Sequence, residues 1–295
     1  FIAFGNFFRQ GCFFIAQILI ANSIGIGSFG LYSTLFSIML VWEAFGSFGT
    51  RMSLWRHIAK KKFIPQDNII FYVAVRASIA LACIFVSLIV LLAIDIDEIK
   101  YLFYFLIIIL INQSTFDWIF LSRSETKKVV IYNISAGIIY VVILNLYFAI
   151  DDSIIFLPLI FSISFLIPGI YLIKNDIARL KDLKISSLLR FQKTIIRFSV
   201  NFFGYDLIQR TYLALPLVLT YFLTTPSLAG EFRLVSLIIM LAVTLSTSLA
   251  FGFFNKIVIN DHNERGNSIA KALILTTILI VPIAFYAGDI LSLNF

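Results

Sequence analysis

The chain has 295 residues, 60% of them hydrophobic and only 13% charged, with a net charge of +7 and a mean hydropathy of +0.99. It is too apolar for one water-soluble core. Two cysteines, Cys12 and Cys83, and two histidines, His57 and His262, give neither a disulfide framework nor zinc-ligand spacing.

A membrane-spanning helix needs about 20 mostly apolar residues. Nine blocks qualify in chain order: 1–23, 29–50, 68–94, 99–122, 129–150, 153–173, 195–223, 232–254 and 268–291. Barrel strands would be about 10 residues long and alternating, so the expected fold class is all-α, a polytopic helical membrane protein. The first block carries Asn6, Arg9, Gln10 and Gln17; the second carries Glu43; the third Arg76; the fourth Asp117. Blocks five and six have no charge in their cores and are expected at the periphery. The seventh holds Asn201, Tyr205, Asp206, Gln209 and Arg210, with Pro216 beyond them.

The connections alternate in charge. Those after blocks two, four, six and eight contain sixteen Lys and Arg, whereas those after one, three, five and seven contain two, Lys100 and Arg233. This bias places the amino terminus in the cytoplasm. It also accounts for the basic charge without nucleic acid, which is not an expected partner.

Counted from the outer turns, Arg9 lies about 22 Å deep, Glu43 and Arg210 about 21 Å, and Arg76 and Asp117 about 27 Å. Within a core about 30 Å thick these residues form a charged layer in the cytoplasmic half. Charges on several helices at one depth point to a shared aqueous cavity. For Arg9 and Arg76, lining that cavity and snorkelling to the membrane edge are both open. Asp206 and Arg210 stand at i, i+4, so a structural pair and a substrate role are also both open.

An internal repeat runs through the chain. "NFF" occurs at 6–8 and 201–203, and "GLYSTLFSIM" from Gly30 is echoed by "GEFRLVSLIIM" from Gly230. These offsets of 195 and 200 residues divide the chain into an expected six-helix lobe, 1–185, and the start of a second lobe, 186–295, with helices seven to nine. Repeat-built transporters bind cargo where their halves meet. Arg9 and Arg210 would then face each other, and guanidinium forks match phosphate oxygens. A start at Phe1 without an initiator Met, an end at Phe295 and an odd helix count lead us to expect a C-terminally truncated piece of a longer protein.

"SIGIGSFGLYSTLFSIMLVWEAFGSFGTRMSLWRHIAKK" (23–61) resembles the first hairpin of the Wzx-type oligosaccharide-lipid flippases of polysaccharide and O-antigen biosynthesis. Gly25, Phe29, Gly30, Tyr32, Gly49, Arg56, Ile58 and Ala59 match that pattern; Ile26 replaces its proline and Ser47 its aspartate. "FDWIFLSRSE" (116–125) is similar to the family's fourth-helix ending through Asp117, Trp118 and Phe120. The resemblance implies a MATE-like two-lobed bundle of the MOP exporter superfamily, with more helices than these nine, the second lobe being incomplete here. It further implies a transporter, not an enzyme, in the bacterial cytoplasmic (inner) membrane. The implied cargo is undecaprenyl-diphosphate-linked oligosaccharide such as a lipopolysaccharide repeat unit, in contact with membrane lipids. On this basis Arg9, Arg76 and Arg210 are the expected cargo-binding cations. Glu43, Asp117 and Asp206 are candidates for coupling to H⁺ or Na⁺, and no cofactor or resident metal is expected. The rivals are a MATE-type drug antiporter, whose cavity would be dominated by carboxylates and aromatics, and a membrane enzyme of glycan assembly. The short outer connections disfavour the enzyme.

Overall fold

The structure, a computed structural model, describes residues 2–50, 53, 66–93, 101–113, 120, 125–177 and 185–241. The apolar blocks become helices α1 (Ile2–Ile24), α2 (Ile26–Ser47), α3 (Gln66–Ala93), α4 (Leu102–Gln113), α5 (Thr126–Phe148), α6 (Leu157–Ile177) and α7 (Ile185–Leu223). An eighth, α8, occupies 226–241, and no strand occurs among the described residues. The ninth block lies outside them, as do Asp117, Trp118 and Arg56 of the quoted motifs.

Among the described residues three helices, Phe4–Ile24, Ile26–Ser47 and Thr126–Phe148, are long and apolar enough to cross a bilayer by themselves. The distribution of side chains shows which solvent the bundle is built for. On α5 the exposed stripe is Ile131, Ile138, Val142 and Leu146, whereas the buried stripe contains Tyr132, Asn133, Gly137 and Tyr140. On α3, Leu81, Phe85, Val86 and Ile89 are likewise exposed. Apolar residues outward and small or polar residues inward suit lipid, where packing fit rather than hydrophobic burial holds helices together. The protein is a polytopic helical membrane protein.

Small residues set the closest contacts. A Cβ on Gly5 would stand 3.0 Å from the Val130 backbone, and one on Gly137 would stand 3.0 Å from Cys12 Cβ. Between these two points Asn133 Nδ2 donates to Asn6 Oδ1 at 2.7 Å, so α1 and α5 lie close along much of their length. Aromatic rings fill the space among α1, α2, α5 and α6. Phe161 meets Phe36 edge-on at 5.2 Å and Tyr140 edge-on at 5.5 Å, and Phe13 stacks on Tyr140 at 6.1 Å. These edge-to-face and offset arrangements are the favoured ones for aromatic quadrupoles.

Single residues or short turns join α1 to α2, α5 to α6 and α7 to α8 at one end of the bundle, called here the turn end. Gly25 alone separates α1 from α2, at φ 80 and ψ 156, a conformation open essentially only to glycine.

Among the described residues the largest differences from the expected limits fall at two helix starts. α7 begins at Ile185 rather than 195, and its 39 residues make about 58 Å of helix, longer than the hydrocarbon core. α8 begins at 226 rather than 232. Thr225 caps it, its Oγ1 accepting from Leu228 N at 3.3 Å, and Pro226 follows at the first helical position, where its missing N–H costs nothing. Arg233, counted with the connection after block seven although the eighth block starts at 232, sits two turns inside a helix and is only 5% exposed.

Candidate functional site

Among the three long apolar spans, α2 has 67% of its most apolar window buried, against 22% for α1 and 39% for α5. It is the inner helix. It packs on α3, α4 and, most extensively, on α7, so among the described elements the main packing between the first six helices and α7 runs along α2.

At the end away from the turns, that junction is polar. Arg210 on α7 donates from Nη1 to Glu43 Oε2 on α2 at 2.8 Å and from Nε to Asp206 Oδ1 at 2.9 Å. The same Nη1 reaches the Leu40 carbonyl at 3.1 Å. Ser47 Oγ lies 3.1 Å from Asp206 Oδ2 and 3.0 Å from the Ala44 carbonyl oxygen, so its single proton can serve either acceptor. Glu43 is 7% exposed, and in so dry a place a carboxylate needs a charged partner. Two carboxylates around one guanidinium leave the cluster with a formal charge of −1.

Beyond Ser47 the chain turns against α7. Phe48 adopts the left-handed conformation at φ 44 and Gly49 follows at φ 63. A Cβ on Gly49 would come within 2.5 Å of Phe203 N and of the Ser199 carbonyl oxygen, so only glycine allows this approach. Phe48 stacks on Phe203 at 4.9 Å, and Ser199 Oγ donates to Ser53 Oγ at 3.0 Å.

At the turn end, α2 crosses α8. A Cβ on Gly30 would lie 1.9 Å from the Pro226 carbonyl oxygen, and one on Gly230 would lie 2.3 Å from the Ile26 carbonyl oxygen. Ile26 and Pro226, like Gly30 and Gly230, are 200 residues apart. The contact is thus reciprocal in the way that a two-fold relation between two segments makes it. Gly27 faces Ser227 at the same offset, its Cβ position 3.4 Å from Ser227 Oγ.

The candidate residues are distributed as follows. Glu43, Asp206 and Arg210 come together. Arg9 is half-buried on α1, with its guanidinium 5.8 Å from the centre of the Phe165 ring on α6, a cation–π distance. Arg76 is buried in α3, 2% exposed. Asp117 lies outside the described residues. An apolar cavity of about 410 Å³ opens between α2 and α3, lined by Trp42, Phe45, Ile79, Ala82, Cys83 and Val86. Trp42 Nε1 donates to Ser87 Oγ beside it. Two functional candidates escape a reading of the sequence. Ser47 counts there only as a departure from a motif, and Arg233 only as a topology signal.

Comparison with known families decides the wider context: a polysaccharide biosynthesis protein family matches residues 1–252. The chain belongs to that family. No curated protein and no solved structure is significantly similar to it. The match spans both the first six helices and α7 and α8, so the α2–α7 cluster and the α2–α8 crossing both fall within the part of this polysaccharide biosynthesis protein that the family covers.

Proposed function

We propose that this chain flips a polyprenyl-diphosphate-linked oligosaccharide, of the undecaprenyl type, from the cytoplasmic to the outer leaflet of a bacterial inner membrane. In this reading the amino terminus is cytoplasmic and the turn end faces outward. The observation that carries it is the pair of junctions along α2: a charged one with α7 at one end and a glycine crossing with α8 at the other. In a chain of a polysaccharide biosynthesis family, two junctions at opposite ends of one inner helix are what alternating access needs as gates. The reciprocal 200-residue contact supports two lobes related by the repeat, with a boundary near residue 185.

The inner junction is proposed to couple cargo to an ion. Closed, it holds Arg210 between Glu43 and Asp206. A proton or Na⁺ arriving at either carboxylate weakens its hold, and the freed guanidinium can take a diphosphate together with Arg9 and Arg76. Asp117 is a third candidate coupling carboxylate. The polyprenyl tail stays in lipid.

The test is flipping of a fluorescent lipid-linked oligosaccharide in proteoliposomes. Arg9→Ala and Arg210→Ala should each slow it about tenfold or more, the scale of a lost hydrogen bond to a charged group. Wild-type rates in both would remove the cationic-site proposal. The net negative charge of the Glu43–Asp206–Arg210 cluster favours one alternative, export of a small organic cation; uptake of such a cation against a proton gradient, without glycolipid flipping, would establish it.

A further inference from the structure

The inner junction contains one hydroxyl with more acceptors than protons. Ser47, the last residue of α2, is 5% exposed, and its Oγ lies 3.1 Å from Asp206 Oδ2 and 3.0 Å from the Ala44 carbonyl oxygen. Its own carbonyl is held by Thr50 Oγ1 at 2.5 Å, and the Ala44 carbonyl already accepts from Phe48 N at 2.9 Å. A hydroxyl has one proton and two lone pairs, and a carbonyl oxygen has two lone pairs. With Asp206 ionised, Ser47 donates to Oδ2. With Asp206 protonated, the carboxyl donates to Ser47 Oγ, and Ser47 turns its proton to the second lone pair of the Ala44 carbonyl. Both charge states are therefore hydrogen-bonded without any heavy atom moving, which matters where an unpaired polar atom is costly.

Glu43 lacks this arrangement: among the described residues its partner is Arg210 alone, and its side chain is the drier of the two carboxylates. The charges around Asp206 are few. The helix packed on α7 is α2, whose one charged residue is Glu43. The described residues that close over α7 beyond it, Phe48, Gly49, Thr50 and Ser53, are uncharged. Asp206 thus faces Arg210 at 2.9 Å and Glu43 on the far side of that guanidinium. The three sum to −1, and one proton on Asp206 makes the junction neutral. Sodium fits the place less well. Hard cations take several oxygen ligands, and here a guanidinium already holds one oxygen of each carboxylate and repels a second cation.

We propose that Asp206 takes the proton that drives transport, that Ser47 is the positioning residue serving both of its charge states, and that Glu43 stays ionised as the anchor of Arg210. The coupling rests on the transport reading above; protonation of Asp206 beside Ser47 does not. The step adds one proton to Asp206 Oδ2 and breaks no covalent bond. Both contacts of Asp206 then change from charge-assisted to ordinary hydrogen bonds, about half as strong. One of them orients Arg210 towards Glu43, and the other crosses to α2. A proton that arrives through the outward-open chamber thereby loosens the closed inner end. When that end opens, the proton leaves to the cytoplasm and cargo enters, so protons move in as glycolipid moves out.

Two experiments on the full chain separate the site from its use. In nanodiscs, the infrared difference spectrum on acidification should contain a carboxylic acid C=O band that is lost in Asp206→Asn, kept in Glu43→Gln and shifted in Ser47→Ala, whose partner is gone. The unfolding midpoint of each variant reports folding separately. In proteoliposomes, a proton gradient acidic on the outer face should speed flipping of a fluorescent lipid-linked oligosaccharide by the wild type, and the acceleration should vanish in Asp206→Asn. Ser47→Ala should move the pH profile of flipping by about half a unit or more, the scale of one hydrogen bond, and Ser47→Thr should restore it. A spectrum in which Asp206→Asn removes no band, or Glu43→Gln removes it instead, overturns the assignment. Acceleration by a sodium gradient and not by a proton gradient overturns proton coupling. A wild type with the Asp206 band that flips no glycolipid keeps the proton site and removes the transport reading. Flipping without the band does the reverse.

Discussion

Arg210 bridges α2 and α7 through two carboxylates of unequal burial, Glu43 and Asp206. Counting from the turns places Glu43 and Arg210 at the same depth, about 21 Å, and the i, i+4 spacing shows that Asp206 can reach Arg210. Nothing local indicates that Glu43 faces α7. α2 has apolar residues all round with Ser33, Thr34 and Ser37 among them, and in lipid the hydrophobic pattern of such a helix fixes depth but not rotation. The pairing has a measurable consequence. Glu43→Ala leaves Arg210 with Asp206 and the Leu40 carbonyl alone, and loss of the more buried carboxylate should cost up to about 3 kcal/mol. Asp206→Ala should cost about 1 kcal/mol or less, its side chain being 29% exposed against 9% for Glu43. Unfolding in detergent should rank the variants in that order, and Glu43→Leu with Arg210→Met should be milder than Glu43→Ala. A rank reversal would show that Asp206, not Glu43, holds the junction.

Between elements, glycines do what charges do between residues. Gly49 combines a positive φ with backbone contact to α7, so Gly49→Ala meets both a conformational penalty of about 1–2 kcal/mol and a clash at 2.5 Å. Gly30→Val has no conformational penalty of that kind but must separate α2 from Pro226. Gly49→Ala should therefore lower stability, while Gly30→Val should raise the labelling by maleimide of a cysteine placed at Ser33, buried beside the crossing. Equal labelling in Gly30→Val and wild type would mean that the crossing yields without opening. The repeat and its offset were visible in the sequence, and so were most helix limits. The start of α8 was missed because the segment "TPSLAGEFR" (225–233) is polar by composition. Its Thr–Pro cap was nonetheless the better guide, and following it would have moved Arg233 from the edge of the eighth block to two turns inside it.

Over the whole molecule, lipid outside and polar contacts inside are two aspects of one composition. The long apolar blocks announce a membrane protein, and the stretches with Gly25, Gly30 and Gly49 announce the family before any fold is seen. Which charges meet across the bundle depends on helix rotations that only the folded chain displays. That arrangement makes the α2 line the centre of the account. Two close approaches offer a direct probe, since a Cβ on Gly27 would stand 3.4 Å from Ser227 Oγ at the turn end and Ser53 Oγ lies 3.0 Å from Ser199 Oγ at the other. With Cys12 and Cys83 replaced by alanine, cysteine pairs at Gly27 and Ser227 and at Ser53 and Ser199 are within disulfide reach. The decisive measurement is glycolipid flipping by each oxidised pair in proteoliposomes. Either disulfide should stop flipping, and a reductant should restore it; flipping at the wild-type rate with either disulfide intact would contradict alternate opening along α2.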